Sequence, residues 1–454
     1  MKMLKSLVAV STSMMLLIGC SNETSTEKKE DKKEVTISFA SWSLGTEEER
    51  NLNRIMIEEF EEKYPHINVE IDETVIASKQ WNDGLAAAAS ANKMPDVFSL
   101  AQIPPGIANN WLLDLTEIAA DDEDFAKIPE VVRESATYNE VLYALPAGQQ
   151  LLGYYVNKDL FNQENLNVPE NGFSIDEFED AVRSVTNISK GQVGVNNPNA
   201  IIDWYPAAVS DTLGWYTYTE EGYHLNSNEF ISGLNFAKNL VTNGYTFESL
   251  TDEQKSNFSG ENPGEVWTAG GMGLVWDGTW ALASFEENLD FDYDFIGIPG
   301  GRTVVANDYM GISKTTKHAE EAYLFTKWMT FGKEGYLKRI EVAVAEDKGL
   351  SGLPVTTDEE VLDAYFEIQD LPGLRIAYEK LDNGVIEPFK FVPGYVQSRW
   401  EAPTGVAVED NPNANITTLL EAGVKGKVKI EDYISQINEL ANQMHQEGKE
   451  SIGQ

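Results

Sequence analysis

The sequence predicts an α/β protein built on parallel strands, and three features of the chain lead to that prediction. Residues 35–39, 67–71 and 97–100 are strand-like apolar runs separated by helix-like segments, which is the alternation of a parallel sheet covered by helices. Residues 268–283 (TAGGMGLVWDGTWALA) have a buried-strand pattern that stops abruptly at an Asp-Gly turn. With 454 residues, the chain is long enough for two domains of ordinary size.

The first elements of the fold each have a local cause in the sequence. Apolar and polar residues alternate along residues 35–39, as they do in a strand with one buried face. Thr46 and Glu49 have the spacing of a capping box, which predicts that a helix begins there and buries an apolar stripe within residues 52–60. Pro65 ends that helix, because the residue before a proline disfavours helical backbone.

The predicted strands end in residues that are suited to bind a ligand. Trp42 and Gln102 follow the first and third strands, and Trp276, Asp277 and Trp280 lie where the strand at the Asp-Gly turn stops. Ligands of open α/β sheets bind at the carboxyl ends of the strands, so we expect these side chains at a ligand site. The alternative for Trp280 is a packing residue that follows a core strand.

Composition and charge exclude several classes of partner. The formal net charge is −40 at pH 7, which would repel nucleic-acid phosphates and anionic lipid headgroups. We therefore expect no nucleic-acid partner, and a neutral or cationic ligand in preference to an anionic one.

The sequence also lacks the signatures of a metal, thiol or nucleotide site. Cys20 is the only cysteine, so the mature fold has no intrachain disulfide and no cysteine-based zinc or nucleophile site. No P-loop motif is present, and the glycine cluster at residues 270–273 precedes its strand instead of following it. We expect no cofactor and no metal, since the four histidines also lack ligand-like spacing: His66, His224, His318 and His445.

The amino-terminal residues are typical of an exported lipoprotein. Residues 1–19 combine a positively charged start with a short apolar core, and the sequence Leu17-Ile18-Gly19-Cys20 resembles a bacterial lipobox. Cys20 would then carry the lipid, and residues 20–34, which are polar and charged up to Glu34, would form a flexible tether. This predicts an extracellular protein anchored to the outer face of the cytoplasmic membrane; the alternative is an ordinary secreted protein.

Several segments, in order along the chain, resemble extracellular solute-binding proteins of family 1, the group that contains maltose-binding protein. They are residues 143–161 (YALPAGQQLLGYYVNKDLF), 268–283 with its Asp-Gly-x-Trp, 298–301 (IPGG) and 311–330. Val156 departs mildly from the family, which usually has a tyrosine there. The resemblance extends from residue 35 to about residue 447, nearly the whole mature chain.

The resemblance implies a two-lobed periplasmic-binding-protein-like fold that traps its ligand in a cleft at the hinge between the lobes. It places an amino-terminal α/β lobe at residues 35–146 plus 299–332, and a carboxy-terminal α/β lobe at residues 147–298 plus 333–454. It further implies a monomeric capture subunit of an ATP-driven importer, with permease subunits as partners and an oligosaccharide as cargo.

The resemblance also implies which residues line the cleft. Gln149 and Gln150 would follow the first crossing between lobes, although an edge-strand pair facing water would give the same pattern. Trp204 and Tyr205 match the family's aromatic loop. The candidate ligand-binding residues are Trp42, Gln102, Gln149, Gln150, Trp204, Tyr205, Trp276, Asp277, Trp280, Asp308, Tyr309, Tyr395 and Trp400.

The mixture of these side chains suits a carbohydrate, but departures from the family argue against a simple maltodextrin. Indole faces favour the C–H face of a pyranose, and amide or carboxylate groups suit its hydroxyls. Residues 100–105 (LAQIPP) lack the charged pair and the tryptophan that maltose-binding relatives have there. Trp42 also stands where those relatives have an acidic residue.

Two rival functions stay open at this point. An extracellular glycoside hydrolase would need two carboxylates facing across one site. The candidates are Asp203, Asp277, Asp308 and Glu387, but none lies in a hydrolase-like signature, so we expect a binding protein and not an enzyme. A binding protein for a non-sugar solute is the second rival, although neither a fixed charge pair for peptide termini nor a metal-binding cluster is visible.

Overall fold

The computed structural model of the 454-residue chain describes residues 33–78, 80–350 and 352–454, apart from the side chains of Glu47 and Asp382. The predicted signal at residues 1–19, the predicted lipidation site Cys20 and residues 20–32 of the predicted tether lie outside the described residues. No helix in the described part of the chain is both long enough and apolar enough to cross a membrane.

The sheet is mixed. The strands are β1 (Val35–Ala40), β2 (Ile67–Ile71), β3 (Val97–Leu100), β4 (Thr137–Tyr138), β5 (Val141–Leu142), β6 (Leu145–Asn157), β7 (Val193–Val195), β8 (Met272–Gly278), β9 (Tyr293–Gly297), β10 (Val304–Ile312) and β11 (Val385–Ile386). Seven of them follow the order β2-β1-β3-β10-β6-β8-β7, with β11 beside β10 and β9 beside β6, while β4 and β5 form a separate hairpin.

Helices cover this sheet. They are α1 (Leu52–Lys63), α2 (Glu73–Ile76), α3 (Trp81–Ser90), α4 (Ile103–Ala108), α5 (Thr116–Ala119), α6 (Glu123–Ala126), α7 (Glu130–Glu134), α8 (Lys158–Gln163), α9 (Ile175–Val185), α10 (Pro198–Val209), α11 (Asn228–Thr242), α12 (Asp252–Lys255), α13 (Pro263–Thr268), α14 (Leu282–Asn288), α15 (Ala319–Met329), α16 (Lys333–Ala345), α17 (Glu359–Ile368), α18 (Pro372–Glu379), α19 (Ile416–Val424) and α20 (Ile434–Ser451). A π-helical turn, Gln397–Glu401, lies between α18 and α19.

The predicted start of the fold is confirmed, with one correction at the first helix. β1 pairs with β2 and with β3 in parallel, as the alternation predicts. Glu49 does accept from the backbone N–H of Thr46, but this box closes only a single 3-10 turn. Arg50 then adopts a left-handed backbone, and Asn51 caps α1 by accepting from the N–H of Arg54. The predicted capping box is therefore present, but α1 begins after a second cap at Asn51 and not directly after Thr46.

Two long strands, β6 and β10, run through the middle of the sheet in opposite directions. The first half of β6 pairs with β10, and the second half of β6 pairs with β8 and β9. Strand β10 also pairs with β3. All four pairings are antiparallel. The chain crosses the molecule along β6 and returns along β10. We call β6 and β10 the crossing strands, since they connect the two sets of elements that build the lobes.

Each lobe has its own hydrophobic core. The core of the amino-terminal (N) lobe forms around β1–β3, α1 and α15, with Phe39, Phe60 and Phe325 at its centre. The carboxy-terminal (C) lobe has a core on each face of its sheet, because successive residues of β6 point to opposite faces. Tyr154 packs into one of these cores and Tyr155 into the other. The exact lobe boundaries given from the sequence stay a prediction.

Candidate ligand-binding cleft

A cavity of about 430 Å³ lies against the crossing strands, between elements of the two lobes. Ser41 and Trp42 line it from the end of β1, and Gly148, Gln150 and Asp308 line it from β6 and β10. The segment between α16 and α17 closes it on the side of the C lobe. Both lobes and the strands that connect them therefore contribute to one site.

Trp42 provides an aromatic surface on the N lobe. Its side chain is 43% exposed, since it follows β1 directly and stands outside the core. Trp81 supports it edge-on with ring centroids 5.1 Å apart, and the Trp81 indole N–H donates to the carbonyl of Ser99 at 2.9 Å. The Lys390 ammonium lies 5.4 Å from the Trp42 ring. The indole is thus held in place while much of its surface stays open.

Alternation along β6 determines which of its polar residues face the cavity. Gly148 and Gln150 line the cavity, and the side chain of Gln149 between them lies on the opposite face. The side-chain amide oxygen Oε1 of Gln150 accepts from the Thr279 hydroxyl at 2.8 Å, which joins the crossing strand to the end of β8. Asp308 forms an ion pair with Lys390. The floor of the cavity therefore presents an amide and a charged pair.

The end of β8 is joined to the site through the Thr279–Gln150 hydrogen bond, but Trp276, Asp277 and Trp280 do not line the cavity. Trp280 is 49% exposed, and its indole N–H donates to the Asp277 carboxylate at 2.6 Å. Its ring lies over Gly278, where an added Cβ would come within 2.6 Å of the ring carbons. Burial raises the pKa of Asp277, while hydrogen bonds from the Gly278 backbone and the Trp280 indole lower it. Trp276 is partly buried and stacks on Trp215, with ring centroids 6.1 Å apart.

A second surface of the C lobe is built on a buried ion pair. The Arg399 guanidinium donates to the Asp203 carboxylate and, at 2.9 Å, to the hydroxyl of Tyr395. It also lies 5.0 Å from the ring of Trp400, which is 40% exposed. Phe389 meets the other side of the Trp400 ring at 5.7 Å, and its neighbour Lys390 reaches Asp308 and Trp42. Contacts thus run continuously from Trp400 on one lobe to Trp42 on the other.

Trp204, predicted to line the cleft, is instead part of the core, and that prediction is wrong; Tyr205 is partly buried and does not line the cavity. Trp204 is fully buried, and its indole N–H donates to the Tyr154 hydroxyl at 3.1 Å. Tyr205 packs on Trp204 and on Phe236, where α10 meets α11. Both residues belong to a helix with apolar residues nearly all round, which buries large rings on several sides.

Three further predicted side chains are buried away from a ligand. Gln149 faces the other side of the crossing strand, and its side chain is 1% exposed. Tyr309 touches the cavity wall, but its hydroxyl is hydrogen-bonded to Ser135 at 2.5 Å inside the N lobe, so its ring is not available for stacking. Tyr395 is buried, and it orients Arg399 instead of contacting ligand.

Gln102 lies at the end of β3 as predicted, and it accepts weakly from the Asn82 amide at 3.4 Å, but it is not part of the cavity lining. Lys390, Arg399 and Trp81 were not predicted as site residues. The one sequence signal for Arg399 is its position next to Trp400; Lys390 and Trp81 reach the site only through tertiary contacts.

Each of the four carboxylates considered for hydrolysis has a partner. Asp203 is bound to Arg399, Asp308 to Lys390, and Asp277 to the Trp280 indole. Glu387 accepts from the backbone N–H of Phe389 at 3.0 Å. Burial raises the pKa of Glu387 to about 8, against the lowering effects of that hydrogen bond and of the nearby cations Arg399 and Lys390. Among the described residues, no group of three or more His, Cys, Asp or Glu side chains could hold a metal ion.

Comparison with known proteins agrees with this architecture. A multiple sugar-binding protein of Streptococcus mutans is 25% identical over 354 residues, which cover 71% of this chain and 76% of that protein. An ABC substrate-binding protein from Listeria monocytogenes, solved in complex with cycloalternan, superposes with a TM-score of 0.67 at 19% identity, covering 93% of this chain and all of that one. A cyclic α-maltosyl-1,6-maltose binding protein from Arthrobacter globiformis gives a TM-score of 0.64 at 15% identity, covering 91% and 100%.

The structural neighbours show that the fold is the two-lobed α/β fold predicted from the sequence. The family model for bacterial extracellular solute-binding proteins matches residues 44–333, which is more than half of the chain. This chain therefore belongs to the family of bacterial extracellular solute-binding proteins.

Proposed function

We propose that this protein is the substrate-binding subunit of an ABC importer and that it captures a neutral oligosaccharide between its lobes by hinge closure. The observation that carries the proposal is the position of three exposed tryptophans around the crossing strands. Trp42 lines the cavity, Trp280 follows the threonine that bonds Gln150, and Trp400 contacts the residue next to Lys390. Exposed indoles are costly to solvate, so three that are linked to the crossing strands by these contacts favour a stacking ligand.

Carbohydrate chemistry fits the polar groups between these rings. A pyranose presents C–H groups to an indole and hydroxyls to amides and carboxylates at its edge. Gln150 and Asp308 offer such partners in the cavity, Lys390 pairs with Asp308, and Asp277 offers a carboxylate beside Trp280. Three rings spaced over two lobes suit more than one sugar unit, and the named relatives bind sugars, including cyclic oligosaccharides.

We further propose that the protein binds its cargo without turnover. A hydrolase needs one carboxyl that donates a proton and a second that is free to act on the opposite side of the sugar. Asp203 and Asp308 are engaged by cations, and Asp277 holds Trp280. Release of reducing ends over hours from any oligosaccharide that the protein binds would contradict this part of the proposal.

Trp280→Ala should weaken binding of the cognate glycan by about 2 kcal/mol, roughly thirtyfold, as the loss of an aromatic anchor does. Because half of the side chain is exposed, the melting temperature without ligand should change little. The glycan is first identified on a glycan array or by mass spectrometry of co-purified ligand. Calorimetry then gives its affinity, and thermal unfolding gives the stability. Trp42→Ala and Trp400→Ala should behave in the same way.

Two further variants make this experiment specific. Gly278→Ala keeps the indole but displaces it, because the added methyl group would lie 2.6 Å from the ring, so it should weaken binding as well. Val209→Ala removes an exposed apolar side chain that does not line the cavity and should change nothing. A destabilised Trp280 variant with unchanged affinity would show that Trp280 is a packing residue. An array on which no glycan binds would overturn the carbohydrate assignment.

We also propose that the protein is a monomer, held on the outer face of the cytoplasmic membrane by a lipid on Cys20. The proposal rests on Leu17-Ile18-Gly19-Cys20 and on the polar residues that follow. Cys20→Ser should leave the protein unprocessed or release it from membranes, and intact mass of the native protein should show the added lipid. A bare mature thiol would contradict the anchor without affecting the binding proposal.

A further inference from the structure

A second and larger cavity, of about 830 Å³, lies on the opposite face of the crossing strands from the ligand cleft. We call it the rear groove. One wall is α7 of the N lobe and the other is formed by α17 and α18 of the C lobe. Its floor includes Gln149, Val305 and Ile386, on β6, β10 and β11. Gln149 lines the rear groove, whereas its neighbours Gly148 and Gln150 line the ligand cleft, so the two cavities have different floor residues.

The groove has an apolar interior. Val131 contributes from α7 and is 49% exposed, which is unusual for a β-branched aliphatic residue in a concave site. Leu362 and Phe366 face the groove from α17, and Tyr378 from α18. A cavity of this volume with apolar walls is in the range that holds a small organic ligand.

The rim of the groove is strongly acidic. Five carboxylates line it, and none has an ion-pair partner among the residues that the structure describes: Glu130, Glu134, Glu359, Asp363 and Glu379. One cation, Arg375, also lines the groove, and it lies over the Phe366 ring at 4.5 Å instead of pairing with an acid. Like charges gathered around an apolar site attract a ligand of the opposite charge.

The floor also contains a donor without an acceptor. The Gln149 side chain is 1% exposed, and its amide nitrogen has no hydrogen-bond partner in the described part of the chain. Asn307 pairs with it across the strands but does not line the groove. Buried polar groups are nearly always paired, so this unpaired amide at the floor of the groove is available to donate to an acceptor atom from outside.

We propose that the rear groove binds an organic cation with an apolar body, with the cation held by carboxylates of both lobes. The site is separate from the proposed oligosaccharide site and does not depend on that function. Its occupant differs from the proposed cargo in charge as well as in polarity.

The test uses 4-phenylbutylammonium and its neutral analogue 4-phenylbutan-1-ol, titrated into the mature protein at low ionic strength. We expect the amine to bind at least tenfold more tightly than the alcohol, and more weakly as salt rises, because the rim charges are exposed and screened. Equal affinity for the two probes, or no binding of the amine at millimolar concentration, would overturn the proposal.

A matched pair of variants locates the interaction. Glu130→Gln combined with Asp363→Asn removes one rim carboxylate from each lobe and should weaken the amine at least tenfold without affecting the alcohol. Asp252→Asn combined with Glu253→Gln makes the same change of net charge on α12, outside the groove, and should leave the amine affinity unchanged. Equal effects of the two double variants would mean that only overall charge attracts the amine, and would also overturn the proposal.

Discussion

Arg399→Met should lower the free energy of unfolding by about 3–5 kcal/mol, because it leaves the buried Asp203 carboxylate without its cation. The side chains of Arg399 and Asp203 are only 7% and 14% exposed, so water cannot replace the lost partner. Burial already raises the pKa of Asp203, and the Arg399 charge is what opposes that shift. The variant should also lose affinity for the glycan, since the guanidinium supports the Trp400 ring.

Chemical denaturation measures the loss, and two further variants show its cause. Asp203→Leu combined with Arg399→Met removes both charges and should recover much of the lost stability, because apolar replacement of a buried pair is often nearly neutral. Lys427→Met breaks the pair with Glu409, whose side chains are 50% and 63% exposed, and should cost less than about 1 kcal/mol. A cost for Arg399→Met no greater than that of Lys427→Met would show that the buried pair is not a stabilising element.

Much of the fold could be predicted because its signals are local. Alternation along residues 35–39 and the run at residues 97–100 identify strands without knowledge of their partners, and both strands lie in the sheet as expected. The antiparallel centre of the sheet could not be derived from such patterns, because the pairing of β6 with β10 joins residues that are more than 150 positions apart. The two-residue strand β11 is too short to show an alternation that would predict a strand.

The site was predictable where a side chain follows a strand end. Trp42 and Trp280 occupy such positions and both are exposed; Trp42 lines the cavity, and Trp280 follows Thr279, which bonds Gln150 of the lining. Trp204 shows the limit of this reasoning, because a large ring packs in a core as readily as it stacks on a ligand, and composition does not distinguish the two. Lys390 and Arg399 form their ion pairs with residues far away in sequence, so local patterns do not predict those contacts.

Glu387→Gln should stabilise the protein by about 3 kcal/mol at pH 9 and have little effect near pH 4.5. Glu387 directly follows β11, its N–H donates to the Val305 carbonyl at 2.7 Å, and the residue is partly buried. Burial raises its pKa to about 8 in the folded protein, from 4.5. Between these values the folded state holds a proton that the unfolded state has lost, so stability falls as pH rises through that window. The full shift would correspond to ~5 kcal/mol at about 1.4 kcal/mol per unit, and partial exposure reduces it.

The difference in unfolding free energy between the two proteins, measured at intervals from pH 4.5 to 9, isolates Glu387 from every other titrating group. Glutamine keeps the acceptor for the Phe389 N–H, so the variant removes the charge and little else. Glu177→Gln is the matched control with the opposite sign. Hydrogen bonds from the Ser174 backbone and hydroxyl lower the pKa of Glu177 from 4.5, so its carboxylate stabilises the fold at neutral pH and loses that effect only below the measured range; its difference should stay nearly flat from pH 4.5 to 9. A difference for Glu387→Gln that stays flat across this range would show that folding does not raise the pKa of Glu387.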